Sequence, residues 1–240
     1  EAEKAKCRLQ YYLHYNNHEE EIRIVGNLIQ SGYEAIIVIP NYDESLTAGY
    51  YRRVISGKSK LILADNTMAG SFFNYVIQSY DLGVKRAFDY LSQKGNGNFL
   101  LLGNEMWRGQ NLVFNLMEST LRMLIQQSCP DRKLLVENGL REIDAAFIHT
   151  NSITGILSVQ DADSVRMLGR LKEWGIAVPG QVALVSYGNT ELTQYYNPGI
   201  TAIDCNYGAM ARTIAGFITD GKKINNRQVV ISPELVIRET

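Results

Sequence analysis

Short apolar runs and amphipathic stretches alternate along almost the whole chain. Two runs, AIIVI at Ala35–Ile39 and LILA at Leu61–Ala64, are continuous instead of alternating. Such runs mark strands buried on both faces, as in a parallel sheet covered by helices on each side. Pro40 closes the first and Asp65-Asn66 the second. Glu19–Gln30 sets Ile22, Val25, Leu28 and Ile29 at helical spacing, and Ser31-Gly32 ends it, since glycine accepts the left-handed cap. Arg8–Tyr15, rich in aromatics, reads as a strand. Further on, the pattern predicts a helix capped by Asp81 and running through Val84, Ala87, Phe88 and Leu91. A strand at Phe99–Leu102 follows, then a long helix from Arg108 to about Gln127, a strand at Leu134–Val136 and a helix at Arg141–Thr150. Gly155–Val159 reads as a strand, Asp161–Trp174 as a helix ended by Gly175, and Val182–Ser186 and Ile200–Asp204 as strands. Asn206–Thr219 completes the helices, and Val229–Ile237 reads as a strand pair broken near Pro233.

This βαβα order predicts an α/β fold with mostly parallel sheets. The strands are too many for one sheet, so two lobes are expected. QKGNGN at Gln93–Asn98 is the one Gly/Asn-rich joint and the expected interlobe crossover.

Composition narrows the function. The chain has 240 residues, with 24 Lys+Arg against 25 Asp+Glu, for a net charge of −1. That balance argues against an autonomous nucleic-acid-binding domain, though not against a neutral module attached to one. A 45% hydrophobic, 20% charged composition is that of an ordinary soluble globular protein. No apolar run approaches the ~20 residues of a membrane span, and the opening EAEKAKCRLQ has no apolar signal-peptide core. Cys7, Cys129 and Cys205 are scattered, so neither a disulfide framework nor a zinc ribbon is expected. A reducing, cytoplasmic setting is.

Catalytic signatures are missing. The sequence has no phosphate-cradling G-x-x-x-x-G-K-[ST] or G-x-G-x-x-G loop, no G-x-S-x-G elbow and no H-E-x-x-H. His14, His18 and His149 lie apart along the chain. Asp161 and Asp163 follow a strand and could bind a metal, but acidic residues also suit a helix N-terminus, which is the favoured reading. No catalytic group, metal or cofactor is therefore expected.

Open α/β sheets bind ligands beyond the carboxyl ends of their strands. There this sequence sets Asn41 after the first run; Asp65, Asn66, Phe72 and Phe73 after the second; and Asn104, Trp107 and Arg108 after FLLLG. Gln160 and Asp161, Tyr187 to Asn189, and Asn206 and Tyr207 follow the later strands. Aromatic faces with amide and guanidinium donors suit a small polar organic molecule such as a sugar.

These residues carry a family likeness. AVPGQVALVSYGNTELTQYYNPGITAID (Ala177–Asp204) resembles the effector domains of lactose-repressor/galactose-repressor-type bacterial transcription factors, with their "VP" lead-in, "GYDD" strand end and "P.LTTI". Val159–Ile176 resembles the family's "nD..A.g....l...G" helix, and PELVIRET at Pro233–Thr240 its closing "lliRet/s". The likeness implies two α/β lobes of the periplasmic-binding-protein type joined by three crossovers, with an effector clamped between them. On this chain the lobes would be 1–94 plus 206–226, and 95–205 plus 227–240.

The likeness also implies residue roles. Arg108 would grip ligand hydroxyls or a carboxylate, Gln160 stands where the family often has Asn, Asp161 follows it, and Tyr207 takes the place of a stacking aromatic. The sequence departs from the pattern at Gly188, where the family has a hydroxyl-gripping Asp, with Asn189 beside it, and at Asn111, where Gly is usual. The family's helix-turn-helix head is not in this sequence, and its first strand is expected to be missing before Glu1. The resulting expectation is the sensing domain of a cytoplasmic, homodimeric repressor, with a sugar-like effector and operator DNA as partners and no membrane. The alternative is a periplasmic sugar-binding protein of a transport system. An enzyme on this scaffold would need an acid/base or nucleophile constellation, and none is found.

Overall fold

The computed structural model describes residues 8–15, 17–40, 51, 59–66, 73–104, 111–220 and 227–240. The first elements are α1 (His18–Gln30), β1 (Ala35–Val38), β2 (Lys60–Asp65) and β3 (Asn74–Gln78). Then come α2 (Tyr80–Lys94), β4 (Asn98–Gly103), α3 (Leu112–Ser128), β5 (Leu134–Asn138), α4 (Ala145–Thr150) and β6 (Ile153–Ser158). The last are α5 (Asp161–Glu173), β7 (Ala183–Gly188), α6 (Glu191–Tyr195), β8 (Thr201–Asp204), α7 (Tyr207–Thr219), β9 (Gln228–Ile231) and β10 (Glu234–Val236). They fall into two units, one of residues 1–78 and 206–231, the other of 79–205 and 232–240.

The first unit holds a sheet in the order β1-β2-β3-β9, parallel throughout. Successive side chains of a strand point to opposite faces, so the continuous run in β2 feeds two cores at once. Leu61 and Leu63 join Val25, Ile36, Val38, Tyr51 and Phe73 on one face. Ile62 and Ala64 join Val76 and the α7 residues Met210, Ile214 and Phe217 on the other.

The second unit repeats the plan with six strands, β10-β8-β7-β6-β4-β5, all parallel except β10 against β8. Phe99, Leu101, Leu157, Ala183 and Val185 face α2 and α3. Leu100, Leu102, Ile156 and Leu184 face α5. The chain's tail closes this unit. Thr240 is fully buried, its hydroxyl donates to the Leu184 carbonyl (2.7 Å), and Tyr90 donates to its main-chain oxygen (2.6 Å).

Several elements differ from the sequence reading. Arg8–Tyr15 forms no strand; Tyr11 and Tyr15 are each 83% exposed, so these aromatics face solvent and no described strand pairs with them. β3 is an addition to the sequence pattern, which assigns no element to Asn74–Gln78 and places Phe72 and Phe73 after the second run. The chain leaves the first unit at Gln78, not within Gln93–Asn98. The physical reason is α2, whose Val84, Ala87, Phe88 and Leu91 pack on the second sheet. Likewise β9 pairs with β3 and so belongs to the first unit, not to the second lobe as 227–240 would have it. Asp81 does not cap α2: Ser79 is the N-cap residue and donates its hydroxyl to the Asp81 carboxylate (2.6 Å). The Arg141–Thr150 helix shortens to α4, capped by Asp144, whose carboxylate accepts from the Phe147 N–H (2.7 Å).

Gly83 lies inside α2, where glycine costs about 1 kcal/mol relative to alanine. The reason is Tyr187, 5% exposed and stacked on Tyr80 with ring centroids 5.7 Å apart. A Cβ at Gly83 would meet the Tyr187 ring at 2.9 Å. Overpacking outweighs the gain in helix propensity, so Gly83→Ala should lower stability by about 1–3 kcal/mol, measured by urea denaturation. An increase in stability would show that the ring has room to shift.

Candidate functional site

A parallel sheet buried on both faces leaves polar side chains their best access to water at the strand ends. In the second unit the ends of four neighbouring strands carry such groups. Asn104 follows β4, Asn138 ends β5, Gln160 follows β6 and Asn189 follows β7. Asn104 donates to the Gln160 Oε1 (2.6 Å) and to the Asp163 carboxylate (3.2 Å). Gln160 thus has its oxygen occupied and its Nε2 left to donate. The Asn138 Oδ1 is buried without a hydrogen-bond partner, close against Gly103, where a Cβ would come within 2.5 Å of it. A buried acceptor left unpaired costs about 1–3 kcal/mol, so this oxygen has a need that a donor could meet.

Asp161 has a different role. It is 6% exposed, and its carboxylate accepts from the Ser186 hydroxyl and from the Thr190 N–H (2.6 Å). Ser186 is itself 2.7 Å from the Ser164 hydroxyl. The carboxylate faces inward and fixes the segment after β7. It also explains Gly188: with φ +154°, this residue passes so close that a Cβ would lie 2.8–3.0 Å from the Asp161 carboxylate. An acidic side chain there would meet both a steric and a like-charge barrier.

Asn189, at φ 60°, is held on both sides. Its Nδ2 donates to Asp204 (3.0 Å) and its Oδ1 accepts from Arg238 (2.6 Å). Tyr207 is 51% exposed at the start of α7, behind the left-handed Asn206 cap, whose side chain accepts from the Ala209 N–H (3.2 Å). Phe73 is 1% exposed and meets Tyr51 edge-on at 6.4 Å, so it serves the first unit's core. Asn41, Phe72, Trp107 and Arg108 lie outside the described residues.

The first unit has a polar strand end of its own. Gln78, 2% exposed at the end of β3, donates to Asp65 (2.7 Å) at the end of β2, and its Oε1 is buried without a partner. Sequence reasoning passed over Gln78 because it did not find β3, and over Asn138 because it ended that strand two residues early. The signal available for both was a lone amide at the carboxyl end of an apolar run.

A separate hollow of about 230 Å³ lies at the amino ends of β6 and β7, lined by residues such as Ile148, His149, Ile176 and Val182. Among the described residues no group of three or more His, Cys, Asp or Glu could hold a metal ion. No described helix is long and apolar enough to cross a membrane.

The sequence profile of the periplasmic binding protein-like domain matches residues 88–240, more than half of the chain. The chain belongs to this family. It is 25% identical over 129 residues to an HTH-type transcriptional repressor PurR of Vibrio parahaemolyticus, which covers 50% of this chain and 39% of that protein. The chain thus spans about two fifths of that relative's length. Its fold is that of a LacI family transcriptional regulator from Silicibacter pomeroyi, with a TM-score of 0.81 at 18% identity over 99% of this chain and 88% of the other. It also matches a periplasmic binding protein/LacI transcriptional regulator from Alkaliphilus metalliredigens complexed with D-xylulofuranose, with a TM-score of 0.70 at 17% identity over 93% and 84%. The expected likeness to lactose-repressor/galactose-repressor-type effector domains holds, as does the α/β class with two mostly parallel sheets.

Removing the Asp161 carboxylate leaves the Thr190 N–H and the Ser186 hydroxyl without their acceptor. Asp161→Ala should therefore cost about 2–4 kcal/mol of stability, whereas Gln160→Ala, at a half-buried amide, should cost under about 1 kcal/mol. Paired urea denaturation curves test the order, and equal costs would deny Asp161 its structural role.

Proposed function

We propose that this chain is the effector-sensing domain of a bacterial transcriptional repressor, binding a small polar molecule at the carboxyl ends of its parallel strands. The observation that carries this reading is the pair of amides there, both in the second unit, with unspent hydrogen-bonding capacity: the Gln160 Nε2 and the unpaired Asn138 oxygen. Together they suit a ligand that both accepts and donates, and a sugar or sugar derivative does both. The sugar in the Alkaliphilus structure supports the class. Tyr207 offers an exposed ring for stacking, and Arg108, Trp107, Asn41 and Phe72 complete the proposed ligand set from their sequence positions.

The domain acts in the cytoplasm as a homodimer, and operator DNA is met by a helix-turn-helix head outside these 240 residues. The effector binds one conformer of the domain more tightly than another and so shifts the population. By linkage, operator DNA changes effector affinity by the same factor. No feature favours the transport-protein reading, and the matched relative is named a transcriptional repressor.

A thermal-shift screen of the 240-residue chain against sugars, sugar phosphates, sugar acids and nucleobases tests the reading. A ligand at 100 times its Kd adds about 2.7 kcal/mol of stability, visible as a raised midpoint. The shift should disappear in Arg108→Ala and shrink in Gln160→Ala and Tyr207→Ala. A shift untouched by all three would place the site elsewhere.

A further inference from the structure

Gln160 is the N-cap residue of α5, yet its side chain makes no cap hydrogen bond. Asn104, after β4, holds it instead. The Asn104 Nδ2 donates to the Gln160 Oε1 at 2.6 Å and to the Asp163 Oδ2 at 3.2 Å. All three residues lie in the second unit. Asp163 is 5% exposed in the first turn of α5, and its other oxygen accepts from Arg166 at 3.3 Å. The three side chains differ in what they allow. An amide can turn over and exchange its donor and acceptor ends, but a carboxylate only accepts. Asp163 therefore fixes the end of Asn104 that faces it as the NH₂. The same NH₂ also meets Gln160, and only the Gln160 oxygen can face it. Nε2 is then the end that Gln160 has left to offer.

We infer that Asp163 is a positioning residue that sets the polarity of the candidate site: through Asn104 it turns Gln160 so that this residue offers donors and no acceptor. The inference rests on the effector reading for its meaning, because the strand ends of this unit are the proposed ligand contacts. A ligand then sets an accepting oxygen of an ether, carbonyl, carboxylate or phosphoryl group against Gln160, whereas an N–H placed there would meet another N–H. Position 163 thereby governs specificity without touching the ligand. Asp161 takes no part, since its carboxylate is spent on the Ser186 hydroxyl and the Thr190 N–H. Reversing the polarity needs two changes. A carboxylate at 104 with an amide at 163 makes the middle of the relay an acceptor, so Gln160 turns its NH₂ inward and presents its oxygen.

The test uses the ligand-free 240-residue chain, so its failure and that of the effector screen are told apart. Solvent exchange of the side-chain NH₂ protons of Asn104 and Gln160 is followed by NMR. In the unaltered chain the Asn104 protons, each with an acceptor, should exchange roughly tenfold or more slowly than those of Gln160. Gln160→Met removes an acceptor and should speed exchange at Asn104, whereas Gln160→Glu still accepts and should keep it slow. The paired change of Asn104→Asp with Asp163→Asn should reverse the relay and slow the Gln160 protons by a similar factor. The pair should also have a higher urea midpoint than Asn104→Asp alone, which sets two carboxylates against each other. If the pair does not fold, the two substitutions at half-buried Gln160 decide alone. Gln160 exchange unchanged in the folded pair, a midpoint no higher than that of Asn104→Asp, or equal Asn104 exchange in Gln160→Met and Gln160→Glu would overturn the relay.

Discussion

Burial of each parallel sheet on both faces is the constraint from which the rest of the molecule follows. Neither face of β2, β4, β6 or β7 can carry an unpaired polar group, because the strand interiors alternate between two apolar cores. Chemistry is thereby driven to the strand ends, where the backbone leaves the sheet and helix N-termini begin. The same constraint demands helices on both sides, and at one point glycine permits the close approach, where Gly83 lies beneath Tyr187.

At those ends the second unit separates two kinds of polar residue that look alike in the sequence. Asp161 and Ser186 are spent on one another and on the Thr190 N–H, and Asn189 on Asp204 and Arg238, and they give the loop its shape. Gln160 and Asn138 are spent only in part. Recognition requires both kinds, since a donor binds selectively only if its position is fixed before the ligand arrives.

This division sets the limit of what the sequence could tell. The continuous apolar runs made the two-sided sheets legible, and Gly175 and the acidic start of α5 marked helix ends within a residue or two, whereas the helix read from Arg108 begins at Leu112, behind the Asn111 cap. The lobe boundary was not legible. Gln93–Asn98 has the composition of a joint, but α2 before it carries an apolar face whose partner, the second sheet, is settled only in three dimensions. Phe73 shows the same ambiguity in miniature: an aromatic after a strand can cover a ligand or fill a core, and its contact with Tyr51 comes from 22 residues away. Asp161 and Asn189 were rightly placed at strand ends, yet their partners, Thr190, Asp204 and Arg238, lie on separate segments. No spacing rule joins them.

The close fit of Gly188 against Asp161 has an evolutionary consequence. Neither residue can change freely alone: a side chain at 188 collides with the carboxylate, and a shorter residue at 161 releases the loop. The two positions are therefore epistatic, and the order of substitution matters. A lineage acquiring a new recognition group at 188 must also shift the Asp161 carboxylate or the loop it holds. Combinatorial libraries that vary 161, 188 and 190 together can cross that valley, whereas single-site scanning meets it as a wall.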